Sequence, residues 1–215
     1  MDIKQNTPEW LEWRSKGLGA SDAPIILGVS PWTTRHQLFL QKVGLSSKPK
    51  ANIFQTVAME RGHDLEPKVR EMYERLTGYK FPAMSFTHER LSYLRCSLDG
   101  HNIELNRSIE IKCPGKVDHA KALDGRIPDK YYPQVQMQMI VSGAGLCDYV
   151  SWDGKSEMLV IIPVAADKAY QLYLLNEMIT FWTMINDKHL VDSIRSLFPK
   201  PADPVTDGDG FTKVS

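Results

Sequence analysis

Apolar positions change period along this chain, and the changes mark its elements. Between 64 and 77 they recur at helical spacing: Leu65, Val69, Met72, Tyr73 and Leu76 share one stripe, and Gly78 ends it. Segments 80–87, 91–98 and 107–112 are short, rich in aromatic or β-branched residues, and separated by turn chemistry, which predicts strands. Helical spacing returns at 132–142, with Val135, Met139 and Ile140 inward, after a helical stretch near 116–125. Two strands fit 147–153 and 157–163, joined across Asp153-Gly154. A long helix from about Asp167 to Lys188 carries Tyr170, Leu174, Phe181 and Ile185. Nearer the start, Ser21 can N-cap a short helix to Leu27, and Thr33 or Thr34 can cap one that Gly44 stops. The order predicts an α/β fold, a mixed central β-sheet flanked by helices.

At 215 residues the chain is long enough for one sizeable domain, assigned to 1–200, with 201–215 as an extended tail rich in Pro, Asp and Gly. No apolar run approaches a membrane span. Cys96, Cys113 and Cys147 are odd in number and form no CxxC pair. Disulfide scaffold and zinc ribbon are both disfavoured, and a reducing cytoplasm is the expected location. The 26 basic and 26 acidic residues cancel, which argues against a general polyanion binder but leaves room for a local basic channel.

Chemistry concentrates at Ser-Ile-Glu-Ile-Lys-Cys-Pro, residues 108–114. In a strand, Ile109 and Ile111 would face a core while Glu110 and Lys112 point together at one solvent-facing spot. A hairpin-like return would bring Asp99 of Cys-Ser-Leu-Asp-Gly beside them. Two carboxylates, with the Ile111 carbonyl as a third oxygen, suit a hard cation such as Mg²⁺. Lys112 would orient or deprotonate an attacking water, or offset charge on a phosphorane. That is equipment for metal-assisted phosphodiester hydrolysis; the bland alternative is an exposed strand face with an ion pair.

Other candidates lie around this set. Glu66 sits at the shoulder of the 64–77 stripe. Gln134 and Gln138 share a helix face, where an amide could hold Lys112, a water or a phosphate. Arg14 and Ser21 bracket a Gly-rich turn leading into a capped helix, an arrangement suited to an anion.

Taken together these residues resemble the lambda exonuclease / YqaJ-type viral recombinase family of the PD-(D/E)xK nuclease superfamily. The resemblance runs from about Trp10 to Tyr149, on Trp10/Arg14/Ser21, Gly62/Glu66, Cys-Ser-x-Asp-Gly at 96–100, Glu-x-Lys-Cys-Pro at 110–114 and Gln-Val-Gln at 134–136. Leu98 stands where the superfamily has proline. The resemblance implies a restriction-endonuclease-like core and a Mg²⁺-dependent enzyme, with Mn²⁺ as substitute. Asp99, Glu110 and the Ile111 carbonyl would ligate metal, Glu66 would be the further acid, and Lys112 and Gln134 would complete the catalytic set. Arg14, Ser21 and Ser97 would hold a 5′-phosphate. Arg35, ahead of the second helix, would add a phosphate contact, and Met59 would either wedge the terminal base pair or fill the core. The implied activity is 5′→3′ digestion of one strand of linear double-stranded DNA, leaving 3′ overhangs. A toroidal homotrimer, a single-strand annealing protein as partner and a phage or prophage origin in a bacterial host come with it. The alternatives are a nuclease of other polarity, a structure-specific endonuclease, or an inactive DNA-end clamp.

Overall fold

A computed structural model describes residues 3–47, 53–156 and 158–197. The tail at 201–215 and the side chain of Met59 lie outside the described residues.

The chain opens with α1 (Pro8–Ser15), which the apolar pattern does not announce. Its start is written instead in capping chemistry: the Thr7 hydroxyl accepts from the Trp10 N–H, Pro8 fills the first turn and Glu9 adds an acid there. A two-residue strand β1 (Leu18–Gly19) leads through a tight turn at Ala20–Asp22 into α2 (Ala23–Ile26). Helix α3 (Arg35–Lys42) begins at Thr34, which forms a reciprocal cap with Gln37.

Helix α4 (Ile53–Thr77) is much longer than the predicted stripe, because the chain stays helical through Gly62. Val69 and Tyr73 are buried as expected, whereas Leu76 is left exposed.

The strands follow: β2 (Met84–Thr87), β3 (Leu94–Leu98), β4 (Gly100–Asn102) and β5 (Arg107–Lys112). After α5 (Lys116–Leu123) and α6 (Tyr132–Ser142) come β6 (Leu146–Ser151) and β7 (Val160–Ala165). Helices α7 (Lys168–Asn186) and α8 (Lys188–Leu197) close the described chain.

The fold is mixed α/β, as the pattern predicts, but the strands divide between two mixed sheets rather than one. In the first, β3 lies between β1, parallel to it, and β2, antiparallel. The second runs β4-β5-β6-β7, with β5 and β6 parallel and the outer pairs antiparallel. The chain changes sheets at Asp99: β3 ends at Leu98 and β4 starts at Gly100. Gly100 is required there, because a Cβ would lie 2.6 Å from the Phe81 carbonyl oxygen and 2.8 Å from the Ile109 side chain.

Three apolar clusters hold these layers. Leu18, Leu94, Cys96 and Leu98 of the first sheet pack with Met137 of α6 and with Leu174, Met178 and Phe181 of α7. Val69 and Tyr73 of α4 cover one face of the second sheet through Ile109, Ile111, Val150 and Trp152. Val135 and Met139 of α6 cover its other face through Cys147, Tyr149 and Val164. Helix α6 therefore lies between sheets and is buried on nearly every side, including Gln136 and Gln138.

Candidate active site

Strand β5 positions the acid and the lysine. Its alternation is the predicted one, with Ile109 and Ile111 in the core against α4. Glu110, however, is 1% exposed rather than solvent-facing. The strand is internal to its sheet, and α6 covers the face opposite α4, as is usual where parallel strands pair. Glu110 is consequently enclosed by donors. Lys112 Nζ donates to its Oε1, Gln134 Nε2 donates to the same oxygen at 2.6 Å, and Gln138 Nε2 donates to Oε2 at 2.5 Å. The shared Gln134/Gln138 face is real, and both amides hold the glutamate rather than Lys112.

Asp99 lies at the sheet-to-sheet crossing, on the β4–β5 return that the sequence predicts. Its Oδ2 accepts from the Ile111 N–H at 2.7 Å. The Lys112 carbonyl accepts from Trp152 on the β6 side. Alternation along the ladder then turns the Ile111 amide and carbonyl to the opposite edge, where Asp99 sits.

Burial raises the Asp99 carboxyl well above its ordinary range, and the charges of Glu110 and Glu66 push the same way, against Lys112 and the Ile111 N–H. For Lys112 burial opposes the charge, yet the Glu110 and Asp99 carboxylates outweigh it and hold the ammonium above its usual value. Its Nζ also lies 5.4 Å from the centre of the Tyr131 ring.

Glu66 projects from the middle of α4, not its start, and pairs with Arg70 at 2.5 Å. Three carboxylates thus bear on one locus, with Lys112 on Glu110 and Arg70 on Glu66 as the cations beside them, and all three offer hard oxygens. That donor chemistry fits a divalent cation such as Mg²⁺. As the side chains stand, no group of three or more His, Cys, Asp and Glu among the described residues is gathered closely enough to hold a metal. The oxygens of Glu110 are taken by Lys112 and the two glutamines.

The anion-binding candidates meet in an adjoining cavity of about 40 Å³, lined by Trp13, Arg14, Gly19, Ala20, Ser21, Arg95, Cys96, Ser97 and Gln134. Arg14 donates to the Ser21 hydroxyl and stacks 4.9 Å from the Trp10 ring. Trp10 Nε1 donates to the Ser97 hydroxyl at 2.8 Å. Ser21 is not an N-cap, since it lies inside the Ala20–Asp22 turn. The Gly19 N–H is likewise not offered to a ligand, because Asp22 Oδ2 accepts it at 3.0 Å. The arrangement therefore rests on side chains rather than on a helix end.

Arg35 stands apart from this group. It donates to the Ile26 carbonyl at 3.1 Å, pairs with Glu177 at 2.5 Å and stacks on Phe181, tying α3 to α2 and α7. Two residues that the motifs do not single out, Arg95 and Tyr131, do reach the site. Arg95 was available from strand periodicity, because it alternates onto the same face of β3 as Ser97.

The family of YqaJ-like viral recombinase domains matches residues 9–145. The chain belongs to this family. The uncharacterized protein YqaJ of Bacillus subtilis (strain 168) is 31% identical over 137 residues, 63% of this chain and 42% of that protein, so the match spans less than half of the relative. Among solved structures, LHK-Exo, an alkaline exonuclease from Laribacter hongkongensis, superposes with a TM-score of 0.72 at 24% identity, covering 89% of this chain and 97% of that one. LHK-Exo in complex with dAMP gives 0.73 at 23% identity over the same shares. A phage-related exonuclease from Haemophilus somnus 129PT gives 0.55 at 11% identity, covering 84% and 96%. The fold is thus that of alkaline and phage-related exonucleases. No helix among the described residues is long and apolar enough to cross a membrane.

Proposed function

We propose that this protein is a Mg²⁺-dependent exonuclease that digests one strand of linear double-stranded DNA from a 5′-phosphorylated end, in the 5′→3′ direction. One observation carries the reading. Gln134 lines the Arg14/Ser21/Ser97 cavity and at the same time donates to Glu110. The seat for a terminal phosphate therefore adjoins the carboxylate site through a single side chain, a spacing suited to cutting near a bound 5′ end.

Asp99, Glu110 and the Ile111 carbonyl would hold the cation, with Glu66 as the further carboxylate. A divalent ion there supplies Lewis acidity at a phosphoryl oxygen. The chain's own residues do the rest. Lys112, held as an ammonium, donates hydrogen bonds and offsets charge that builds on the phosphorus oxygens. Its raised pKa disfavours the role of proton acceptor, because it would first have to lose its own proton. Gln134 and Gln138 fix the Glu110 carboxylate. Arg14, Ser21 and Ser97 orient the end, which converts a collision into a positioned reaction. A ring of three subunits and an annealing partner belong to the same reading, and a ring would explain how a chain of zero net charge stays on DNA.

The test is cleavage of 5′-phosphorylated duplex by wild type, Asp99→Asn and Lys112→Ala, with and without EDTA. Wild-type digestion that EDTA abolishes, and that both variants lose by ~10³-fold or more, is expected. Metal-dependent cleavage retained by Lys112→Ala would remove that residue from the mechanism.

A further inference from the structure

The cavity beside the carboxylate site holds two guanidinium groups, and neither has an anionic partner among the described residues. Arg14 donates to the neutral Ser21 hydroxyl. Arg95 is less satisfied still. Its Nε makes one long bond, 3.4 Å, to the Ser92 carbonyl, and its Nη1 is buried with no hydrogen-bond partner. Burial works against its charge, and an unpaired buried donor of this kind is costly.

The surroundings nevertheless keep it in place. Trp13 stacks 5.3 Å from its guanidinium carbon. Gly17 leaves the space the side chain uses, since a Cβ there would lie 3.1 Å from Arg95 Nε and 2.2 Å from the Tyr93 carbonyl oxygen. The other half-buried arginines among the described residues are paired: Arg35 with Glu177, Arg70 with Glu66, Arg107 with Asp148.

We infer that Arg95 is a specificity-determining residue of the cavity, reading the second negative charge of a terminal phosphate monoester. This rests on the cavity being the seat of the DNA 5′ end. A phosphodiester within a strand carries one negative charge, while a terminal monoester carries nearly two at neutral pH. One unpaired guanidinium matches the first, and two match the second. Arg14 and Arg95 together then distinguish a free 5′-phosphate from an internal phosphate by charge as well as by shape. Ser21 and Ser97 would serve either ligand alike.

The experiment measures duplex binding in EDTA, where cleavage cannot interfere. The probes are otherwise identical duplexes ending in 5′-hydroxyl, 5′-methylphosphate or 5′-phosphate. Wild type is expected to bind 5′-phosphate ~10-fold or more tighter than 5′-methylphosphate, the value of one charge-assisted hydrogen bond. Arg95→Gln is expected to erase that step while keeping the preference of methylphosphate over hydroxyl, and Arg14→Ala to weaken both. Arg95→Lys, which keeps the charge, should retain part of the step and serves if the glutamine variant fails to fold. An Arg95→Gln protein with the full wild-type step overturns the assignment while leaving the cavity's role intact. A wild type blind to all three ends overturns the assignment and the 5′-end reading together.

Discussion

Replacing Lys112 by methionine isolates the electrostatics of the site from its chemistry. The lysine Nζ donates to Glu110, whose side chain is 1% exposed, and is itself 25% exposed. Truncating one partner of a buried pair leaves the other uncompensated and costs ~3–5 kcal/mol, with the lower end fitting a lysine that retains some solvent. For a chain of this length ~3 kcal/mol lowers Tm by ~6–12 °C.

The sign of the pH dependence follows from the shifts. Lys112 is raised, so its stabilisation is fully present below the ordinary lysine value and throughout the neutral range. Asp99 is also raised, so its contribution is fully present below ~4 and is lost as pH rises through the folded value. Without the lysine Asp99 loses a charge that favours its ionised form, and the Lys112→Met deficit must grow from acid to mildly alkaline pH. Glu110→Gln in the same chain removes the stranded charge and should recover most of the loss. Thermal melts of wild type, both single variants and the double variant in EDTA, at pH 5 and pH 8, measure the coupling. A double variant no more stable than Lys112→Met, or a deficit that shrinks with rising pH, would refute the reasoning.

Three further outcomes are expected. Mg²⁺ should raise Tm more at pH 8 than at pH 5, because the Asp99 proton that competes with the cation is retained at lower pH; an equal or reversed difference in a thermal-shift titration would place the cation elsewhere. Gly100→Ala should cost ~2 kcal/mol or more and lower cleavage with it, since the new Cβ has to displace the Phe81 carbonyl or Ile109 beside Asp99; a melt within a degree of wild type would contradict the packing. Gln134→Ala should lower both the cleavage rate and the preference for 5′-phosphorylated over 5′-hydroxyl ends, because one amide serves both places; a change in only one would uncouple them.

The parts of the fold that were legible in sequence are those where a single period runs long enough to show. Strand 107–112 and helix 132–142 fall where the pattern puts them, and the long C-terminal helix starts within a residue of its expected position. Strand β1 has two residues and no periodicity to read; it exists because Leu18 and Gly19 pair with Leu94 and Arg95. Helix α1 has no useful apolar stripe, but Thr7-Pro8-Glu9 announces it to a reader of caps. The division into two sheets was hidden because alternation does not say which strand pairs with which.

The site shows the same split. Asp99, Glu110 and Lys112 were legible because period two places Glu110 and Lys112 on one face. The burial of Glu110 was not, since alternation names a face without saying what covers it. The place of Arg35 in the chain suggests a phosphate contact, and only the approach of α7 reveals Glu177 as its partner. For Arg95, strand periodicity gives the face it shares with Ser97, while its lack of an anionic partner shows only in the packed cavity.

The central claim is tested most directly with linear duplex DNA phosphorylated at one 5′ end, each terminus labelled in turn, and digested with Mg²⁺ beside an EDTA control and a covalently closed circle. The account predicts release from the 5′-phosphorylated terminus, a 3′ overhang left behind, and an intact circle. Label lost first from the 3′ terminus, or a nicked circle, would contradict the assigned polarity and the end-binding cavity with it.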